Sequence, residues 1–229
     1  MDARAIVLAA GRSTRMGAPK ALTPIAGAPA VARIVRALHD AGVADVTVVP
    51  PVGVELPPLE ARVVVNPDPD AGRTGSLQLG LAAQALAPTL VVWPVDHPLA
   101  TAATVRALLA AEGEWVLPTH LGRTGHPILV RGRAIDAIRR AAPAMPLRSI
   151  PPTLGIVPTR VAVEDAGVLA NLDTPGDVAS SVAGTVVDDD QIRFFFFRQH
   201  AGFVDVRRNV ELGIFPEYTA RKPAAASGR

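Results

Sequence analysis

The chain has 229 residues, 49% of them hydrophobic, with a net charge of +2 and no cysteine. That length and apolar content suit one large domain, or a domain with an appendage, built around a full core. The near-neutral charge excludes a strongly basic nucleic-acid binder, since no dense Lys/Arg stripe with interleaved aromatics accompanies the pI of about 9.6, and the lack of cysteine excludes disulfides and thiolate metal sites. No run approaches the roughly 18 apolar residues that cross a bilayer, and no basic region precedes a long apolar segment at the N-terminus. A cytoplasmic protein is expected, with neither nucleic acid nor membrane as partner.

Ala5 to Ala9 reads as a buried strand with one polar residue, Arg4, before it. A glycine-bearing, cationic loop, Gly11 to Lys20, leaves its carboxyl end, which in open α/β sheets is the ligand edge. Gly11 and Gly17 allow the backbone to turn and to approach a ligand, and successive N–H groups in such a loop form an anion nest. Arg12, Arg15 and Lys20 place three positive charges within nine residues, and Ser13 and Thr14 add hydroxyl donors. Lys20 stands apart because the next lysine is Lys222; a compact ammonium suits a point contact with phosphate. The loop reads as a polyphosphate cradle, with a solvated basic loop as the plain alternative. It is neither a Walker A loop nor a GxGxxG fingerprint.

Pro29 to Ala41 carries Val31, Ile34, Val35 and Leu38 at helical spacing, and Gly42 reads as its stop. Strands are expected at 46–49 and 62–66, with a proline-rich loop between them, so that βαβ units and a parallel sheet follow. A turn-rich loop, 66–75, leads to a helix expected to run to Leu86, capped by Thr74 or Ser76. Its N-terminus would offer N–H groups and partial positive charge to an anion, or be an ordinary cap. Thr89 to Val95 is an apolar strand that ends in Asp96. An acid there suits Mg²⁺, which takes one or two carboxylates and fills its octahedron with water and phosphate oxygens; the alternative is a turn or capping aspartate, with Thr101 a competing cap for a helix to Glu112. Strands follow at 115–119 and 125–130, around a turn at 122–125. A lone His126 beside a strand is ordinarily a packed or surface residue. A helix is expected at 135–141, a loop at 143–158 and a strand at 160–163. Thr174 and Pro175 form a cap and first helical residue, with Asp177 following. That explains those three residues but not Asp173.

Together these residues carry a resemblance. Gly11-x-x-x-Arg15-Met16-Gly17-x-x-Lys20 resembles the signature loop of the MobA-like nucleotidyltransferases, and is most similar to that of the molybdenum cofactor cytidylyltransferases. Val95-Asp96-His97-Pro98-Leu99 resembles the family's Asp-x-Pro-Leu element, with His97 in place of a frequent glutamine. The resemblance runs over residues 4–182. It implies a Rossmann-like α/β nucleotidyltransferase domain at 1–185, with a mostly parallel sheet and helices on both faces. It further implies a nucleoside triphosphate, Mg²⁺ as cofactor and pyrophosphate release. Carried over residue by residue, Arg15, Lys20 and Asp96 are the catalytic candidates. Leu8, Ala9, Ala10, Gly11, Arg12, Ser13, Arg15, Lys20, Gly75 and Ser76 are the nucleotide-binding ones. Gly125 and His126 lie on the acceptor side, and Asp96 and Asp173 are the metal ligands. Arg73 stands where relatives tend to carry a less charged residue. The pair Ala9-Ala10 before Gly11 resembles the cytidylyl-type loop, which implies CTP as donor, molybdopterin as acceptor and a molybdenum hydroxylase as consumer of the product. A sugar- or alditol-phosphate acceptor, or a non-catalytic nucleotide-binding accessory protein, are the other readings.

The resemblance does not extend to residues 186–229. All six phenylalanines and the single tyrosine lie beyond residue 193. Val186 to Asp190 reads as a linker. The Phe-rich extension beyond it reads as a segment that docks on the core or self-associates, or as an unselected extension, and 219–229 as disordered.

Overall fold

The computed structural model describes residues 2–11, 18–173 and 177, with the backbone of two short segments at 186–188 and 191–193. In chain order the elements are β1 (Ala3–Leu8), β2 (Pro24–Ile25), β3 (Ala28–Pro29), α1 (Ala30–Asp40), β4 (Asp45–Val49), β5 (Arg62–Val63), α2 (Arg73–Ala83) and β6 (Thr89–Pro94). Then come α3 (Ala102–Ala110), β7 (Trp115–His120), β8 (Arg123–Thr124), β9 (Ile128–Arg131), α4 (Arg133–Arg140), α5 (Ile150–Thr153), β10 (Thr159–Ala162), β11 (Val186–Asp188) and β12 (Gln191–Arg193). The main sheet runs β10-β7-β9-β6-β1-β4-β5, with β8 paired to β7. β1 lies parallel to both β4 and β6. β9 is reversed between β6 and β7, so the sheet is mostly parallel and mixed.

Both faces of the sheet are covered, and β1 shows why its sequence is apolar throughout. Ala5 and Val7 point into a core shared with α1 and α3, through Ile34, Leu38, Val105 and Leu108. Ile6 and Leu8 point into the opposite core, against Leu77 and Leu81 of α2 and Ile135 and Ile138 of α4. A strand buried on both sides needs no polar alternation. α1 stops as expected: Gly42 takes φ 90°, its N–H donates to His39 O, and the Val43 N–H donates to Leu38 O, the paired bonds of a Schellman ending.

Several local expectations are corrected. The strand expected at 62–66 forms a regular ladder at Arg62–Val63, an exposed sheet edge; beyond it the pairing continues through the Val64 N–H to Val48 O bond and an isolated bridge between Asn66 and Pro51. α2 begins at Arg73 and ends at Ala83, so Leu86 lies outside it and is exposed. The region 143–158 is not all loop, since it holds a 3₁₀ turn at Leu147–Ser149 and then α5. Pro151 and Pro152 are tolerated there because a first helical turn needs no N–H donors. Val186–Asp188, read as linker, pairs antiparallel with Gln191–Arg193; Val186, Val187 and Ile192 are β-branched residues suited to a ladder. The Thr174–Pro175 cap and the readings of the Phe-rich extension and of 219–229 fall outside the described residues. No helix among the described residues is long and apolar enough to cross a membrane.

Candidate active site

The carboxyl ends of β1 and β6 meet at the centre of the sheet. The Ala9 N–H donates to Val49 O and the Val95 N–H to Leu8 O, each at 3.0 Å, so the ladder extends one residue past β1. Leu8, Ala9 and Ala10 are buried there and Gly11 is exposed. Gly11 is not in the left-handed region, and a Cβ on it would meet nothing within 4 Å. The described backbone therefore does not itself demand glycine at this position. Arg12, Ser13 and Arg15, together with Gly17, lie outside the described residues. The chain is described again from Ala18, and Lys20 opens a 3₁₀ turn.

Lys20 Nζ lies 2.5 Å from Asp173 Oδ1. Asp173 is held by its neighbours: Asn171 Nδ2 donates to its other oxygen at 2.8 Å, and its own N–H donates to Asp177 Oδ2 at 3.0 Å. One residue earlier, the Leu172 N–H donates to the main-chain oxygen of Asp96 at 2.8 Å. Through that bond the segment carrying Asp173 is fastened to the end of β6, and Lys20, Asp96 and Asp173 come together from three separate parts of the chain.

Asp96 is buried. Its Oδ2 accepts from Arg73 at 3.3 Å. Its Oδ1 has no hydrogen-bond partner among the described residues; His97 Nε2 stands 3.9 Å away. A buried carboxylate oxygen without a partner is costly and fits a divalent cation. Among the described residues there is no cluster of three or more His, Cys, Asp or Glu suited to a metal.

The first turn of α2 departs from the expected cap. Its N-cap is Gly72, with no side-chain capping bond. The Thr74 hydroxyl donates instead to Met145 O at 2.5 Å. Ser76 Oγ accepts from Asn66 Nδ2 at 2.9 Å, and the Gly75 N–H already donates to Pro143 O at 3.1 Å. So a distant carbonyl closes part of this helix end, and Gly75 brings close packing against Pro143, whose Cβ lies 3.1 Å from where a Cβ on Gly75 would stand. Asn66 is a positioning residue that the sequence does not announce. It is buried, and its Oδ1 also accepts the Asp68 N–H.

Beside Asp96, the His97 and His126 rings lie 4.6 Å apart, tilted by 50°. The His126 N–H donates to Val168 O at 2.9 Å. Burial, helped by the charge of His97, pushes the His126 imidazole down to about 4. Burial also lowers His97, with Asp96 and Asp173 opposing and Arg73 and Lys20 assisting. Lys20, Arg73, Asp96 and Asp173 thus all act on one ring. Gly125 is needed for close packing, because a Cβ on it would fall 2.1 Å from Val168 O. The 3₁₀ turn holding Val168 is tied down by Asp165, another residue the sequence does not single out. The Asp165 carboxylate accepts from the Thr101 N–H and hydroxyl, the Thr104 hydroxyl and the Gly167 N–H. Thr101 is the N-cap residue of α3, as expected, but it spends its hydroxyl on Asp165 and makes no side-chain capping bond to the helix.

The profile of a family described as the MobA-like NTP transferase domain matches residues 5–153. A molybdenum cofactor guanylyltransferase of Xanthomonas euvesicatoria pv. vesicatoria is 42% identical over 105 residues, 46% of this chain and 52% of that one. A 2-C-methyl-D-erythritol 4-phosphate cytidylyltransferase of Nocardia farcinica is 35% identical over 175 residues, 72% of this chain and 61% of that one. The matches thus span between half and two thirds of those relatives' own lengths. The crystal structure of Rv0371c from Mycobacterium tuberculosis H37Rv superposes with a TM-score of 0.67 at 21% identity, covering 80% of this chain and 97% of that one.

Proposed function

Because the chain belongs to the MobA-like NTP transferase family, we propose that it moves a nucleoside monophosphate from a nucleoside triphosphate to a phosphate-bearing acceptor. An acceptor phosphate oxygen forms the new bond to the α-phosphorus, the bond from that phosphorus to the bridging oxygen breaks, and pyrophosphate leaves with the electron pair. The observation that carries this reading is the convergence at Asp96. Lys20 from the loop after β1 meets Asp173 at 2.5 Å, and the residue before Asp173 is bonded to Asp96 itself.

The roles follow from charge and place. Leu8, Ala9, Ala10 and Gly11 form the floor beneath the triphosphate. Arg12, Arg15 and Lys20 neutralise its oxygens and the departing pyrophosphate, Ser13 adds a hydroxyl donor, and Gly75 and Ser76 border the nucleoside. Asp96 and Asp173 hold Mg²⁺, which when bound offsets charge on the phosphate oxygens. His126, with Gly125 behind it, lines the acceptor side as a neutral ring. It is not a general base, because a phosphate nucleophile is already an anion at neutral pH. Catalysis is then positioning plus charge stabilisation.

We read the donor as CTP, from Ala9-Ala10 before Gly11, and the acceptor as molybdopterin, with a molybdenum hydroxylase receiving the product. A second reading, an alditol or sugar phosphate as acceptor, is favoured by the Nocardia relative, whose match covers 72% of this chain. The test is pyrophosphate release with each of the four triphosphates, alone, with molybdopterin, and with methylerythritol phosphate. Release with CTP and molybdopterin is the expected result. Release only with the alditol phosphate selects the second reading. Nucleotide binding with no release under any condition selects a non-catalytic accessory protein.

A further inference from the structure

Arg73 is unaccounted for by the roles above. Its side chain is 68% exposed, yet its guanidinium reaches to 3.3 Å from Asp96 Oδ2, on a carboxylate only 12% exposed. It is the first residue of α2, where the helix dipole disfavours a cation. Among the described residues no other carboxylate lies within salt-bridge distance of it. Its backbone is held in place: Gly72 before it takes φ 111°, and a Cβ there would fall 2.7 Å from Pro143 O.

A divalent cation at Asp96 and the Arg73 guanidinium compete for one carboxylate. Like charges brought together there repel, so either the metal binds weakly or Arg73 releases its oxygen. A released Arg73 still reaches the same space, which in the function proposed above is filled by polyphosphate. A planar guanidinium pairs well with phosphate oxygens. Resting on that function, we propose that Arg73 exchanges Asp96 for a phosphate oxygen of the bound triphosphate. It masks the metal-binding carboxylate in the free protein and clamps the triphosphate in the loaded one.

The test uses the full chain as wild type, Arg73→Ala and Arg73→Lys. Mn²⁺ binding is followed by electron paramagnetic resonance without nucleotide, and Mn²⁺·CTP and Mn²⁺·GTP binding by calorimetry. Loss of an exposed competitor should tighten Mn²⁺ binding in Arg73→Ala about two- to fivefold, while the same variant should bind the metal–nucleotide about tenfold more weakly. Arg73→Lys should fall between. Opposite signs in the two measurements are the mark of exchange, because a merely structural residue would weaken both. Equal affinities in wild type and Arg73→Ala, a fall in both, or a change confined to the acceptor KM would overturn the assignment. Wild-type protein that binds neither nucleotide with Mn²⁺ would sink the proposed function itself, and the exchange with it.

Discussion

Gly125→Ala tests how the acceptor side is held. The added Cβ would stand 2.1 Å from Val168 O, 2.6 Å from Val168 C and 2.9 Å from Val168 Cβ, where real Cβ contacts stay above 3.0 Å. Two of these are backbone atoms, so no rotamer change relieves the clash, and the two segments must part by about an ångström. That separation breaks the His126 N–H to Val168 O bond of 2.9 Å, at a net cost of about 1 kcal/mol. Overpacking adds roughly 1–3 kcal/mol. For a domain of this size the sum lowers Tm by about 4–16 °C. Thermal melts monitored by circular dichroism measure the first effect. Acceptor KM and triphosphate KM measured together test the second, and the acceptor value should rise while the triphosphate value stays within about twofold. A variant that melts within a degree of wild type, or whose triphosphate KM rises as much as its acceptor KM, would refute the role given to Gly125.

Asp96→Asn should reduce pyrophosphate release to background with little change in Tm, because the Leu172 N–H is anchored by the main-chain oxygen and not by the carboxylate; a variant with wild-type turnover removes Asp96 from the metal site. Chelation of divalent ions should stop release and added Mg²⁺ restore it, followed by the same assay. Lys20→Met should lower kcat/KM for the triphosphate by about a hundredfold, and unchanged kinetics would exclude Lys20 from the phosphate site. His126 makes the protein acid-sensitive. Its ring resists protonation until about pH 4 in the folded state, whereas the unfolded ring protonates near 6.5, so the unfolded state binds more protons in that window. Stability therefore falls as pH drops through it, by about 2 kcal/mol at pH 5 relative to pH 7 from this group. Urea titrations of wild type and His126→Asn at both pH values check this, and an equal loss of stability in the two proteins would contradict it.

What was legible in the sequence was whatever local chemistry decides. The runs at 5–9 and 89–95 are apolar because both faces of those strands are covered, and Gly42 announces the end of α1 because only a left-handed residue completes its closing bonds. Asp96 at the end of such a run stood out for the same reason. The start of α2 was misplaced because its cap is not local: Pro143, some seventy residues away, receives the Gly75 N–H, and the hydroxyls of Thr74 and Ser76 are committed to Met145 and Asn66. The reversal of β9 carries no pattern of its own, since a short buried strand looks alike in either direction. Asp165 looked like one acid among many, because its four hydrogen-bond donors come from Thr101, Thr104 and Gly167. Asp173 came forward only through the resemblance; its place beside Asp96 depends on a main-chain bond that no side-chain pattern records.

The reversed strand has a further consequence. Because β9 runs against β6, the amino end of β9 lies at the same rim as the carboxyl ends of β1 and β6. His126 is therefore delivered by a stretch that enters the rim from β7 and β8, not from the loops that leave β1 or lead into α2. Leu121 at the tip of that hairpin is 88% exposed. Under the function proposed above, a change in this one hairpin would reshape the acceptor side without touching the chain segment after β1 that carries Lys20.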